Sequence, residues 1–315
     1  MVICHKIMSC GICEIRNTFI ILVVGTVFAG TAPAQIFVAY EGRYNGDGGV
    51  AEYSLSGESI NPRFIYGYDG CYGLTLDEHG NLWVGDYLGA GVDAYTTSGT
   101  YLAQLPLVQA TSFGPGALAA DGAGNLFVAN FDLNLIGEFT TAGAVVNNNV
   151  ISGFPLGGLA VDGNSLFVEN GLNGTIMEYS SAGELVNASL LTGAGGPLVG
   201  DGSGHLFVAS GSGTIGEYST SGATLNASLI TGLGGIESLA LDGNGNLFVL
   251  SGDTIGEYTT SGETVNASLI TVTGLTGLGQ IVAAPEPSSA MLIALGLGWL
   301  CLGGGRLVKP FRGEG

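Results

Sequence analysis

Five aspartates recur along this chain, at Asp77, Asp121, Asp162, Asp201 and Asp242, and two of their contexts could hold a cation. Asp242-Gly-Asn244-Gly-Asn246 places oxygen-bearing side chains at alternate positions, and Asp121-Gly-Ala-Gly-Asn125 does so at its two ends, so that both resemble calcium loops. Both lack the glycine and the distal glutamate of an EF-hand, and a hairpin turned through left-handed Gly or Asn accounts for them equally well. Gly211-Ser-Gly213-Thr-Ile-Gly216 matches a dinucleotide fingerprint, but no helix or βαβ unit surrounds it. Outside His5, the histidines are His79 and His205, which read as one turn position in two copies of a repeat, too far apart to share a metal. No spacing supports a Ser, His and Asp arrangement. Neither a cofactor nor a metal is expected. Asn187, Asn226 and Asn266 stand in Asn-Ala-Ser glycosylation sequons.

The aspartates lie 39 to 44 residues apart and head a repeated unit. It reads Leu-x-Leu-Asp-Gly, Asn-Leu-Phe-Val, Thr-Ile-Gly-Glu-Tyr, Ser-Gly, Asn-Ala-Ser-Leu-Ile-Thr. The last full copy predicts strands over 238–242, 246–251, 254–259 and 264–271. They are rich in Val, Ile, Leu, Phe, Tyr and Thr and separated by Asp-Gly, Ser-Gly and Gly-Asn pairs, which suit tight hairpins. No segment of the repeat shows helical periodicity. Four antiparallel strands per unit of about 40 residues match the blade of a β-propeller.

Counting strand by strand gives six blades. The second strand occurs six times, around Phe37, Trp83, Phe127, Phe167, Phe207 and Phe248. The third ends in an aromatic six times, from Tyr53 to Tyr258. The first strand occurs only five times, and the missing copy belongs before Ile36. Gly279-Gln280-Ile281-Val282-Ala283-Ala284 can supply it, so the opening blade takes its inner strand from the C-terminal end. Such closure removes two exposed sheet edges. The leucines three residues before each aspartate, Leu74, Leu118, Leu159, Leu198 and Leu239, are expected between blades, with the Phe of Leu-Phe-Val as filler.

Two end segments flank this ring. Residues 1–34 have Lys6 and Arg16 before an apolar run over 19–29, then Ala32-Pro33-Ala34, the order of a secretory signal, with Gln35 opening the mature chain and Met8 a second candidate start. An uncleaved anchor is the alternative. At the other end Pro285-Glu286-Pro287 precedes an apolar stretch, and Arg306, Lys309 and Arg312 follow. Residues 291–308 would span roughly 27 Å as a helix, barely a bilayer core, with the basic end cytoplasmic; a buried C-terminal helix is the alternative. The expected fold is thus all-β, a six-bladed propeller over 35–284 closed by a C-terminal strand, with an N-terminal signal helix and a C-terminal transmembrane helix in 285–315.

Five of the seven Lys and Arg lie in the end segments, leaving Arg43 and Arg63 on the ring against 23 of the 26 acidic residues. So acidic a body excludes nucleic acid as a partner. Cys4, Cys10, Cys13 and Cys301 also fall in the ends, so Cys71 is alone in the ring and reads as a packed small apolar residue.

The motif Pro285-Glu286-Pro287, the apolar stretch and the basic cluster together resemble a PEP-CTERM sorting signal. The resemblance implies export in a Gram-negative bacterium, recognition by an exosortase-type processing enzyme, and release to or fixation at the cell surface. The run from Asp77 to Asp86 is similar to blades of NHL, gluconolactonase and streptogramin-lyase propellers. Gluconolactonase-type hydrolases converge carboxylates and amides on a channel metal. Here the predicted inner strands are apolar and small, with no Asp, Glu, His or Asn before the terminal aspartate, and no catalytic residue carries over.

Blades one and two depart from the repeat. Arg43, Tyr44, Tyr66, Tyr68, Tyr72 and Tyr87 gather there, with loops that should open on one face. Aromatics beside a few charges suit a sugar or a protein partner, and irregular packing at the ring closure would also produce them. A binder of matrix polysaccharide or surface protein is the first expectation. An extracytoplasmic lyase or hydrolase is the second, and a purely structural matrix protein the third.

Overall fold

The structure is a computed structural model and describes residues 34–42, 46–87, 91–106 and 114–284. The expected signal and transmembrane helices, Pro285, Glu286, Pro287, Arg306, Lys309 and Arg312 lie outside the described residues, as do Arg43 and Tyr44. Among the described residues no helix is long and apolar enough to cross a membrane. The described residues form twenty-four strands in six four-stranded sheets, giving a six-bladed β-propeller.

Blade one combines β1 (Gln35–Tyr40), β2 (Gly48–Ser54) and β3 (Ser59–Tyr68) with the last strand, β24 (Leu278–Ala284). Blade two runs from β4 (Cys71–Leu76) to β7 (Tyr101–Gln104), and blade three from β8 (Pro115–Ala120) to β11 (Val145–Ser152). Blade four runs from β12 (Leu156–Asp162) to β15 (Leu185–Leu191), blade five from β16 (Leu198–Gly200) to β19 (Thr224–Ile230), and blade six from β20 (Ile236–Leu241) to β23 (Thr264–Thr271). β24 pairs antiparallel with β1, Gln35 opposite Ala284 and Phe37 opposite Val282. The ring closes as expected.

One aromatic per blade fills each interblade seam. Phe37, Trp83, Phe127, Phe167, Phe207 and Phe248 are at most 1% exposed. Each packs into the next blade: Phe37 with Leu74 and Val84, Trp83 with Leu118, Phe127 with Leu159, Phe167 with Leu198, Phe207 with Leu239 and Phe248 with Ile281. The recurring leucines are therefore interblade core. Cys71 is fully buried in the seam between blades one and two, where burial raises its thiol pKa.

The recurring aspartates build turns. Asp77 Oδ1 accepts from the N–H groups of His79 (2.9 Å) and Asn81 (2.8 Å), and Oδ2 accepts from Asn81 Nδ2 (2.9 Å). Asp121 and Asp242 do the same with Asn125 and Asn246. Their carboxylates are occupied by the hairpin itself, as the turn alternative to a calcium loop requires. In blade five His205 replaces the asparagine, its Nδ1 2.7 Å from Asp201 Oδ2. His79 sits two residues before Asn81, so the two histidines do not share a turn position, contrary to expectation. At the other hairpin of these ends, Gly57, Gly99, Gly143, Gly183, Gly222 and Gly262 occupy one place in all six blades with φ of 84° to 91°, which a side chain would resist.

The outermost strands are irregular in a shared way. Their pairing slips between a third-strand aromatic and its preceding neighbours, leaving Ile60, Leu102, Val146, Val186, Leu225 and Val265 as the extra residue in each blade. In five blades an asparagine follows, and its Oδ1 accepts the N–H two residues on: Asn61, Asn147, Asn187, Asn226 and Asn266, at 3.0 to 3.1 Å. The Asn-Ala-Ser triplets are thereby explained as bulge-forming elements. Bulges on edge strands hinder pairing with another chain.

Two outcomes follow. Phe167→Ala should lower unfolding stability by about 3–5 kcal/mol, read by denaturant titration, with Tyr66→Ala on the surface as the neutral control. His205 is raised by its bond to Asp201, while at Asp201 burial, the largest single effect, pushes upward and is outweighed only by the sum of the His205 side-chain bond and the His205 and Ser203 backbone N–H bonds, so that its value is lowered. The pair's stabilisation is complete between the ordinary values 3.8 and 6.5, fades as pH falls through the lowered Asp201 value, and fades as pH rises through the raised His205 value. His205→Asn, which restores the residue of the sister turns, should remove the decline above pH 6.5; thermal melts across pH check this.

Candidate functional site: the mouth of the central channel

The inner strands begin close together around the ring axis. The position two before each recurring leucine carries Tyr72, Gly116, Gly157, Gly196 and Glu237, and Gly279 holds the matching place before Ile281. A Cβ on Gly116 would meet the Phe131 ring, one on Gly157 the Glu169 carboxylate, and one on Gly279 the Tyr72 backbone at 2.6 Å. Crowding at the axis therefore selects glycine, and only blades two and six put a side chain at this position. Around these residues lies a cavity of about 300 Å³, lined also by Phe131, Glu169, Ser238 and Gln280.

Four polar groups reach this mouth, and all have backbone partners. Gln280, on the closing strand, accepts through Oε1 from the N–H groups of Leu74 (3.0 Å) and Leu118 (3.2 Å), tying blade one to blades two and three. Ser238 Oγ accepts from the Ile281 N–H at 3.0 Å. Glu169, at the end of β13 (Ser165–Asn170), accepts from the Gly158 N–H at 2.9 Å. Glu237 accepts from the Gly252 N–H at 2.7 Å, and burial holds its pKa above the usual carboxylate value. The expectation of an inner wall without acidic groups is corrected here. β20 starts at Ile236, two residues earlier than the repeat suggested, and so takes in Glu237. Glu169 comes from a second strand. Each breaks a repeat position held elsewhere by a small or apolar residue, such as Gly85 or Ala209 for Glu169, and that break was the available signal.

The predicted ligand face divides. Tyr72 and Tyr87 form an edge-on aromatic pair, centroids 5.4 Å apart at 79°. Burial first, then a bond to Glu41, pushes the Tyr72 hydroxyl up to about 12. The Tyr87 hydroxyl donates to Asp132 Oδ1 at 3.0 Å and is also raised, by burial first. Tyr66 is 70% exposed on the same end of the ring. Tyr68 does not join them: it is buried, donates to Asp93 Oδ2 at 2.7 Å, and shares a 2.7 Å bond with the Tyr95 hydroxyl. Asp132 is an addition that the sequence reading lacked, whereas Glu41 opens a loop already expected on this face. Among the described residues, the grouping with metal-ligating potential is Asp77, Glu78 and His79, on the opposite face, where Asp77 is occupied by its own turn.

No protein-family model and no curated protein matches the chain. Its fold is similar to that of a chain in the crystal structure of a nidogen/laminin complex, with a TM-score of 0.62 and 13% identity over 81% of this chain and 100% of that one. At that identity the likeness concerns the fold.

Gln280→Leu removes the side-chain acceptor of two amides and should cost about 1–3 kcal/mol. Hydrogen exchange at Leu74 and Leu118 should accelerate, while Gln280→Glu, which keeps an acceptor oxygen, should restore protection.

Proposed function

We propose that this protein is an exported propeller, tethered at or released from the cell surface, that binds an extracellular partner at its channel mouth. The partner is matrix polysaccharide or a surface protein. The observation that carries this is the mouth itself: the Tyr72–Tyr87 pair stands on a closed ring, beside carboxylates held by backbone N–H groups, with exposed Tyr66 on the outermost strand of blade one at the same end. Rigid aromatic area with a few fixed polar groups is the chemistry of carbohydrate and protein recognition. The sorting motif Pro285-Glu286-Pro287, the apolar run and the cluster Arg306, Lys309 and Arg312 support export and handling by an exosortase-type enzyme. A ring of this fold occurs in a nidogen/laminin complex, so a protein partner is compatible with it.

One observation favours an alternative, an extracytoplasmic lyase or hydrolase. Glu169 and Glu237 border one cavity, and Glu237 is poised above the usual carboxylate value by burial, as a general acid would be.

A glycan array probed with residues 35–284, with and without calcium, tests the binder. Tyr72→Ala with Tyr87→Ala should weaken binding about 10- to 100-fold, and Tyr72→Phe much less. Absence of binding to every glycan removes the polysaccharide version. Turnover of a lactone or glycan that Glu237→Gln abolishes would establish the enzyme instead.

A further inference from the structure

The charged groups that border the mouth cavity are of one sign. Glu169 and Glu237 line it, and among the described residues no Lys, Arg or His does. Arg63, the one lysine or arginine among those residues, is exposed on the outermost strand of blade one. His79 and His205 belong to the aspartate turns of the opposite face. The lining supplies no cation to offset the two carboxylates.

Each carboxylate has one oxygen held by a backbone N–H, of Gly158 for Glu169 and of Gly252 for Glu237. A carboxylate has about four accepting sites, so both keep capacity for a donor from a ligand. Neither presents the open two-oxygen edge that a guanidinium fork grips. A primary ammonium, a compact charge with three donors, needs no such edge. The rest of the lining is mostly glycine and leucine, with the rings of Tyr72 and Phe131. A sugar buried against it would leave hydroxyls without partners, at a cost for each. The methylene stem of a lysine suits such a wall.

The lip adds apolar area on one side. Leu133 and Leu172, in the hairpins between the second and third strands of blades three and four, are 39% and 77% exposed. Their N–H groups donate to Asn130 Oδ1 at 2.9 Å and Asn170 Oδ1 at 3.0 Å, which fixes both tips. Blades five and six carry Ser212 and Asp253 in the corresponding hairpins.

We infer that the mouth binds a surface protein through a lysine side chain, its stem against the leucines of the cavity and its ammonium on Glu169 and Glu237, while apolar residues beside that lysine rest on Leu133 and Leu172. This rests on the binding reading of the proposed function and selects a protein over a polysaccharide.

The labelled full chain is applied to an array of short peptides with lysine, acetyl-lysine, arginine or leucine at the centre and apolar or polar residues on either side, and to a glycan array. Peptides with lysine between apolar residues should bind best, and acetylation of the amine should weaken them about tenfold or more. Glu169→Gln and Glu237→Gln each keep an acceptor for the Gly158 or Gly252 amide, and each should weaken the lysine peptides about tenfold. Thermal melts matching the parent chain show that these variants are folded. Leu172→Ser should level the difference between apolar and polar flanks. Equal binding of acetyl-lysine or arginine peptides, lysine binding retained in both glutamine variants, or an amine-bearing glycan that displaces the lysine peptide overturns the inference. Glycan binding lost in the Tyr72→Ala, Tyr87→Ala double variant, with no peptide bound, overturns it and leaves the binder of the proposed function standing. Binding to neither array removes both.

Discussion

The hydrogen bonds between β24 and β1 decide whether this chain is a ring or an open stack of sheets. Without them blade one has three strands, and its free edge exposes the Phe248 seam to water. The pairing brings together residues some 240 positions apart in the chain, Gln35 with Ala284 and Val38 with Ile281, so it is entropically costly to form. It is reinforced from both sides: Ser238 of blade six accepts from the Ile281 N–H, and Gln280 reaches the amides of Leu74 and Leu118. Closure and the shape of the mouth are therefore one structural event. A disturbance of β24 would be felt first where a ligand would sit.

Repetition governs nearly everything else. Six equivalent seams require six equivalent fillers, and the chain supplies five Phe and one Trp. The exception is informative. Trp83 is in blade two, and its Nε1 donates to Asp77 Oδ2 at 3.0 Å, so the larger side chain gains a polar partner that phenylalanine cannot have. Near the axis, the same logic acts through exclusion. Glycine fills the position at Gly116, Gly157 and Gly279, where an added side chain would collide with Phe131, with Glu169 and with the Tyr72 backbone respectively. Chemistry can enter only where the repeat is broken, at Tyr72 and Glu237, and by a side chain from the next strand, Glu169.

This explains what the amino-acid order disclosed. Blade number, strand limits such as 246–251 and 254–259, the seam leucines and the borrowed strand all follow from local pattern repeated often enough to average out error. Inner-strand starts did not, because glycine-rich segments carry no apolar alternation, and Glu237 was missed with them. Tyr68 was grouped with its neighbours because spacing along β3 shows which residues alternate but not which side meets another blade; Asp93 and Tyr95, which bury its hydroxyl, lie in the next blade. The two histidines separate on counting from the aspartate: His205 lies four residues after Asp201, where Asn81, Asn125 and Asn246 stand in the sister turns, whereas His79 lies two after Asp77, and the turn bonds give that difference its meaning. The site was thus legible as a region, through excess aromatics in blades one and two, but not as a set of partners.

The character of the mouth follows from how its polar groups are satisfied. A carboxylate that accepts from a backbone N–H, as Glu169 and Glu237 do, keeps its orientation without a ligand. It also gives up part of the lone-pair capacity that a metal or a proton transfer would use. Gln280 goes further, with one oxygen serving two amides of different blades. Groups so engaged hold a fixed surface at little cost in conformational entropy on binding. The rim, by contrast, is broken by a bulge in every outer strand, which disfavours edge pairing and leaves aliphatics such as Val186 and Val265 exposed. Fixed polar groups, an aromatic pair and a closed wall coincide at the axis, and that coincidence is why recognition is assigned to the mouth.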